Sequence, residues 1–472
     1  MPGNVLWVEQ GGLRRALLSE RMPKKIVKNR KHHRNERRPA IPTIDLMNPV
    51  ERAVLAAGYR HGDLDPGEEP LQELSKLVET AGVVEVARIW QNIKSIDPKT
   101  FIGKGKCQEI KALAEETKAT VVIFDHELAP NQARELEIAI GYRVLDRSEL
   151  ILDIFASRAR THMAKLQVSL ALHQYRLPRL RRLWTHLERQ RGGVGMRSGP
   201  GEKQIDLDRG MLEKKIDSYK EQIHNYEEQR ARVVLNRTGE FFTVALVGYT
   251  NAGKSTLMNY LTQAGVYADS KLFATLDTHT RLLKLPDGKQ AMLSDTVGFI
   301  QRLPHNLIAS FHATLEETHQ ADLLLHVVDC AHPNFMKQMK AVDDVLKMIA
   351  AENKPIVTVF NKIDIVEDKV GLAMQMEQRK PAVLISAKTG QGVELLQQQI
   401  LTQMAMQSKT YRVRVSVADG MTLAYLNAHA FEHAREFRDE HFYLTVDIDP
   451  ALIQHLQKKN STIEIVTPAG TK

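Results

Sequence analysis

The run "FFTVALVGYTNAGKST", Phe241 to Thr256, constrains the architecture of this chain more than any other stretch. An apolar segment with strand character leads directly into the spacing G-x-x-x-x-G-K-S, and helix-forming residues follow. Strand, glycine loop and helix in that order make the opening unit of a parallel sheet flanked by helices. Gly248 and Gly253 allow the backbone to curl so that successive N–H groups face a bound phosphate. Lys254 then reaches the outer phosphates, and the Ser255 hydroxyl suits Mg²⁺. A glycine turn with no ligand accounts poorly for this spacing in this setting.

Three further signals follow in a fixed order, so that four lie over about 140 residues. "DTVG" (Asp295, Thr296, Val297, Gly298) ends an apolar stretch and places a carboxylate near the metal, through water, with the Gly298 N–H able to sense a γ-phosphate. "NKID" (Asn361, Lys362, Ile363, Asp364) follows "PIVTVF", which reads as a buried strand. A carboxylate at Asp364 accepts the N1–H and the exocyclic amine of guanine, groups that adenine lacks, so the base is expected to be guanine. "SAK" (Ser386, Ala387, Lys388) follows "AVLI" and would close over that base. With Gly248, Tyr249, Thr250, Asn251, Ala252, Gly253, Lys254, Ser255 and Thr256 these residues make up the expected GTP contacts, with Lys254 and Gly298 placed for catalysis.

Between these signals "FATLDTHTR" offers Thr275, Thr278 and Thr280 as the switch threonine, and spacing does not choose among them. Directly after Gly298 stands Phe299, where many GTPases carry a water-orienting glutamine. An aromatic ring cannot orient water by hydrogen bonding, so unassisted hydrolysis is expected to be slow. Asn251 in the loop is compatible with a K⁺ ion supplying positive charge during hydrolysis, and equally with a plain turn residue.

Elsewhere the fold reads as multidomain α/β. Residues 1–45 form a basic leader without apolar periodicity, expected to be disordered. Residues 46–150 read as four strands separated by three helices, as in a small parallel α/β domain. Residues 151–238 carry two stripes at spacings of three and four: Leu166, Leu170, His173, Leu177, Leu180, Trp184 and Leu187, then Leu212, Ile216, Tyr219, Ile223 and Tyr226. Such stripes predict an antiparallel helical hairpin with arms of about 30 Å, interrupted at Pro178 and joined by a glycine- and arginine-rich tip over 189–204. Residues 239–407 form the P-loop domain, and 408–472 a small α+β domain.

The formal charge of +8 is concentrated in two blocks. Residues 1–45 hold eleven Lys and Arg against four acidic residues, and residues 158–237 hold eighteen against nine, while the remainder is net acidic. Basic blocks on an acidic chain fit a polyanionic partner, whose counterions are released on contact. Two distant cysteines, Cys107 and Cys330, provide neither a disulfide framework nor a metal-ligand spacing, and fit a reducing compartment. No apolar run reaches the ~18 residues of a membrane span. His173, His279, His326 and His332 share no ligand spacing and read as ordinary.

The motifs "GYTNAGKSTL", "FATLDTHTR", "DTVGFI" and "NKID", together with "FIGKGK", "LILDIFASRARTHMAKLQVSLA" and "RQRGGVGMRSGPGEKQ", closely resemble the HflX family of translational GTPases over residues 50–472. That resemblance implies a cytoplasmic, partly ribosome-associated monomer that binds the large ribosomal subunit, splits stalled or idle ribosomes and hydrolyses GTP to leave, with stimulation by the ribosome. It implies that the hairpin tip projects toward the peptidyl transferase centre, with Arg189, Arg191, Arg197 and Lys203 on ribosomal RNA. It also selects Thr275 as the Mg²⁺-binding threonine, within a nucleotide-facing segment Phe273, Ala274, Thr275, Leu276 and Asp277. The tip departs from the family pattern by an inserted Ser198 and by Lys203 in place of threonine.

Two other readings compete. One is an RNA-remodelling ATPase or large-subunit assembly factor using "FIGKGK", Phe101 to Lys106, as an N-terminal anion site. The other is a signalling GTPase whose hairpin grips a protein. The basic character of 158–237 favours RNA over an apolar protein groove.

Overall fold

The computed structural model describes residues 51–64, 69–180, 200–235, 241–262, 272–273, 279–301, 317–366, 369–459 and 463–468. The basic leader, the hairpin tip with Trp184, Leu187, Arg189, Arg191 and Arg197, and Ala274 to Thr278 lie outside the described residues, as does the side chain of Lys203.

Four parallel strands open the chain: β1 (Arg52–Tyr59), β2 (Val84–Asn92), β3 (Val121–Phe124) and β4 (Arg143–Asp146), in the order β2-β1-β3-β4. Central β1, "RAVLAAGY", is buried from its second residue onward, as a strand covered on both faces must be. The intervening helices are α1 (Gln72–Thr80), α2 (Lys104–Glu116) and α3 (Pro130–Ile140). Helix α1 sends Leu74, Leu77 and Val78 into the core at spacings of three and one, while α2 sends Cys107, Ile110 and Ala114.

Helix α4 (Arg147–Arg158) starts at the end of β4, where Asp146 caps it by accepting a hydrogen bond from the Glu149 N–H. After a three-residue break, α5 (His162–Arg176) begins with Thr161 as its cap. It ends in a 3₁₀ turn, Leu177–Arg179, at the predicted proline. Helix α6 (Pro200–Leu235) runs back along it. Leu166, Leu170, Ile216 and Ile223 are buried together, His173 meets the ring of Tyr219 at 5.4 Å, and Leu177 and Leu180 face Asp206 and Arg209 across a cavity. Higher positions on one arm meet lower positions on the other, so the pair is antiparallel. Two features depart from the sequence reading. The returning arm has 36 residues, about 54 Å of helix, against the ~30 Å expected. It also begins at Pro200, within the stretch read as tip loop, because a proline lacking an N–H is well suited to a helix's first turn. Tyr226, at the far end of the second stripe, is exposed.

The next sheet has six strands in the order β10-β9-β8-β5-β7-β6. These are β5 (Phe242–Gly248), β6 (His279–Lys284), β7 (Gln290–Asp295), β8 (Leu323–Asp329), β9 (Ile356–Asn361) and β10 (Ala382–Leu384). All pair in parallel except the edge strand β6, which is antiparallel to β7. The last sheet is antiparallel, in the order β12-β13-β11-β14, and is made of β11 (Lys409–Ser416), β12 (Phe431–Arg438), β13 (His441–Ile448) and β14 (Glu464–Pro468). Val413, Val415, Leu444 and Val446 pack there against residues of two helices, Gly420–His429 and Pro450–Lys459. This sheet docks on the six-stranded unit through Lys289, whose ammonium donates to the carbonyls of Asn427 and Ala430, and through Phe241, edge-on to His429 at 4.9 Å.

No helix among the described residues is long and apolar enough to cross a membrane. Both cysteines are buried and unbridged.

Candidate functional site

The loop between β5 and the helix Lys254–Thr262 gathers most of the residues singled out in the sequence. Gly253 has φ +96°, and a Cβ there would lie 2.2 Å from the Asn361 amide nitrogen, so no other residue fits. Asn251 takes a left-handed conformation at φ 59°. The Lys254 ammonium is buried and donates to the carbonyls of Gly248 and Tyr249 at 3.0 and 2.9 Å, a ring of contacts that holds the loop closed on itself. Burial pushes this ammonium down to about 8, an effect the Asp295 carboxylate partly opposes.

Ser255 donates its hydroxyl to Asp295 Oδ2 at 2.6 Å, joining the helix start to the end of β7. The Thr250 hydroxyl is buried in the loop without a hydrogen-bond partner. Hard oxygen donors of this kind suit Mg²⁺ and a phosphate oxygen rather than a softer metal. Thr296 is fully buried and donates to the Leu246 carbonyl at 2.6 Å, which fixes "DTVG" against β5.

At the other end of the sheet the two remaining motifs meet through one side chain. Asn361 donates from its amide to the Ala252 carbonyl at 2.8 Å and accepts from the Ala387 N–H at 2.9 Å. It therefore ties "NKID" to the glycine loop and to "SAK" at once, a structural role that its position in a motif does not announce. Lys362, at φ 69°, pairs with Asp329 at 2.6 Å. Ser386 is buried, with its N–H on the Gln391 carbonyl at 2.9 Å, while Asp364 and Lys388 are exposed at the same edge. Thr256 opens the helix beside Ser255. Of the segment Phe273 to Asp277, Phe273 is described and buried.

Phe299 turns inward and is 2% exposed. Its backbone bridges to the loop, with its N–H on the Gly248 carbonyl at 3.1 Å and its carbonyl accepting from Thr250 N–H at 2.8 Å. Tyr249 points its side chain away from the loop's interior, toward Glu73 of α1, to which its hydroxyl donates. Glu73 and Arg147 carry no motif in the sequence, and only the packing of the first α/β unit against the loop brings them here. Of the stretch "FIGKGK", Gly103 precedes α2 as its cap and Lys106 pairs with Glu109. The neighbouring cavity of about 430 Å³ is lined by Gly58, Ile93, Phe101, His126 and Ser148 among others, and by neither lysine. The histidines take ordinary places: His173 bonds the Ser169 carbonyl at 2.6 Å, and burial holds His326 and His332 below the usual imidazole range.

Three family models match the chain: a "GTP-binding GTPase N-terminal" model over residues 68–156, a "GTP-binding GTPase Middle Region" model over 158–237, and a "50S ribosome-binding GTPase" model over 243–362. Among curated relatives, a GTPase HflX from Magnetococcus marinus is 43% identical over 394 residues, covering 83% of this chain and 91% of the relative. Another GTPase HflX, from Escherichia coli, is 46% identical over 378 residues, covering 80% of this chain and 88% of the relative.

Proposed function

The chain belongs to the HflX family of GTPases, and from that membership we propose that it binds the large ribosomal subunit in its GTP state, splits stalled or idle ribosomes, and hydrolyses GTP to leave. The observation that carries the nucleotide half is the joining of four separated motifs around one loop: Lys254 within it, Ser255 on Asp295, and Asn361 bridging Ala252 to Ala387. The name of the third family model, "50S ribosome-binding GTPase", supports the ribosomal half.

In this reading the phosphates lie along Gly248 to Ser255, with Lys254 turning from the loop carbonyls toward the β- and γ-oxygens. Ser255 and Thr275 would ligate Mg²⁺, with Asp295 holding it through water, and the ion would supply positive charge against the phosphate oxygens. Asp364 reads guanine, and Ser386 to Lys388 close over its plane. The Gly298 N–H registers the γ-phosphate. Because Phe299 cannot orient water, unassisted turnover is slow, and the ribosome supplies what is missing. Asn251 would help to hold a K⁺ ion whose chemistry would be further positive charge; equal turnover in potassium and sodium buffers would exclude it.

Residues 151–238 act as the hairpin that enters the large subunit, and Arg189, Arg191, Arg197 and Lys203 contact ribosomal RNA, where guanidinium groups bind phosphate or stack on bases. The division into leader (1–45), N-terminal domain (46–150), hairpin, P-loop domain (239–407) and C-terminal domain (408–472) belongs to the same proposal. Replacing Arg189, Arg191 and Arg197 together by alanine is predicted to slow splitting while leaving GTP affinity intact. An unchanged splitting rate would remove the tip from the mechanism.

A further inference from the structure

A closed ring of hydrogen bonds joins the N-terminal unit to the segment that follows "DTVG". The Tyr249 hydroxyl donates to one oxygen of Glu73, and the Gln301 N–H donates to that hydroxyl at 2.8 Å. On the other side Arg147 donates from Nη2 to the second oxygen of Glu73 at 2.5 Å and to the Gln301 carbonyl at 3.1 Å. Both backbone groups of Gln301 are thus held, one by the phosphate loop's own tyrosine and one by an arginine of α4. Arg147 is 3% exposed and anchored at its far side by Asp125 at 2.6 Å, which accepts in turn from the Tyr59 hydroxyl at 3.1 Å. Burial alone would weaken the Arg147 charge, but the carboxylates of Glu73 and Asp125 raise it above its ordinary range.

What this ring holds in place matters more than its strength. Gly298 is pressed on the loop so closely that a Cβ there would lie 2.8 Å from the Thr250 methyl, 2.9 Å from its Cα and 3.1 Å from the Lys254 ammonium. The Thr250 N–H is taken by the Phe299 carbonyl. A terminal phosphate must sit between the Gly298 N–H, the Lys254 ammonium and the loop. The close approach of Gly298 to Thr250 and to the Lys254 ammonium leaves no room for a phosphate between them.

We propose that Glu73 and Arg147 are positioning residues of the GTPase, which latch the Gly298 to Gln301 segment onto the phosphate loop and so weaken binding of the triphosphate relative to the diphosphate. The latch rests on the nucleotide assignment made above. A ligand shifts such an equilibrium only by its differential affinity for the two states, so GTP binding opens the ring and GDP leaves it shut. The far end of the same helix reaches the other switch segment, where Phe155 packs edge-on against Phe273. Three residues then separate α4 from α5, so a displacement at Arg147 is passed to the hairpin.

The test uses the full-length protein with GDP and a non-hydrolysable GTP analogue, on wild type, Arg147→Lys and Glu73→Gln. Arg147→Lys keeps the buried charge but loses the fork that spans Glu73 and the Gln301 carbonyl, and Glu73→Gln keeps the shape while discharging the pairing with Arg147. Each variant is predicted to bind the analogue about fivefold more tightly, with GDP affinity within twofold of wild type, and the double variant is predicted to gain no more than about twofold over either single one. If analogue and GDP affinities move together, the ring is structural support and the latch is overturned; the same holds if the analogue binds less well or no differently. If wild type binds neither nucleotide, the nucleotide assignment itself falls.

Discussion

Phe155 of α4 meets Phe273 edge to face, with ring centroids 4.6 Å apart at 75°. The two rings come from units that lie more than a hundred residues apart, and they belong to one continuous core that also contains Tyr249, Phe299 and Ile300. The N-terminal unit is therefore packed against segments that the proposed function assigns to the nucleotide. A substitution here is predicted to cost stability and to disturb nucleotide response. Phe155→Ala deletes a fully buried aromatic side chain and is predicted to destabilise the protein by about 3 kcal/mol, measured by denaturant unfolding; a loss under about 1 kcal/mol would mean that the site collapses freely.

Lys254→Ala removes a buried ammonium that the loop encloses and that the proposed function assigns to the phosphates. Charge-assisted contacts to phosphate of this kind are worth roughly 2–3 kcal/mol, so GDP and GTP affinities are predicted to fall about 30- to 150-fold. Equilibrium binding of a fluorescent guanine nucleotide checks this. A loss of tenfold or less would leave the loop without its assigned cation.

Asn361→Ala strips one side chain from two backbone partners, Ala252 and Ala387. The buried carbonyl and N–H left behind cost roughly 1–3 kcal/mol each. The variant is predicted to lose both thermal stability and guanine-nucleotide affinity, whereas Asp364→Ala, at an exposed position, is predicted to lose discrimination between GTP and ATP while melting within a few degrees of wild type. Competition binding on both variants separates the two roles, and loss of stability in Asp364→Ala would contradict the assignment of that carboxylate to the base.

His429 sits where the C-terminal sheet meets the six-stranded unit, edge-on to Phe241 and beside the ring of Tyr425. Burial, helped by the Lys289 charge, pushes its imidazole down to about 4. A histidine whose folded value lies below its unfolded one takes up a proton on unfolding. Its contribution is therefore complete above about pH 6.5 and is lost as the pH falls toward 4. His429→Gln is predicted to blunt this acid loss by about 2 kcal/mol, read as the change in unfolding midpoint between pH 7 and pH 4.5. Parallel pH profiles for wild type and variant would exclude His429 as a contributor.

Much of this architecture is legible in the sequence because its signals are local. The strand–loop–helix around Lys254, the parallel alternation of the first unit, the interruption at Pro178 and the stripe from Leu166 to Leu170 each depend on residues a few positions apart. Element ends are less visible: α6 starts at Pro200, inside a stretch whose glycines read as loop, because a proline suits a helix's first turn. The contacts between units are not visible at all. Glu73 is one exposed-looking acid in an amphipathic helix and Arg147 one basic residue after a strand, and nothing in their neighbourhoods marks that they pair with each other, with Arg147 also on the Gln301 carbonyl. Asn361 is marked by its motif, but its bridge from Ala252 to Ala387 spans about 135 residues of chain and exists only in the folded sheet.

The central claim is that nucleotide state governs association with the ribosome and its splitting. Sedimentation of the full-length protein with intact ribosomes and with separated subunits, in GDP, GTP and a non-hydrolysable GTP analogue, tests it directly. With GTP or the analogue the protein is predicted to travel with the large subunit and intact ribosomes to convert to subunits, while in GDP it stays near the top of the gradient. Equal sedimentation in all three nucleotides, or intact ribosomes that persist with the analogue bound, would contradict it.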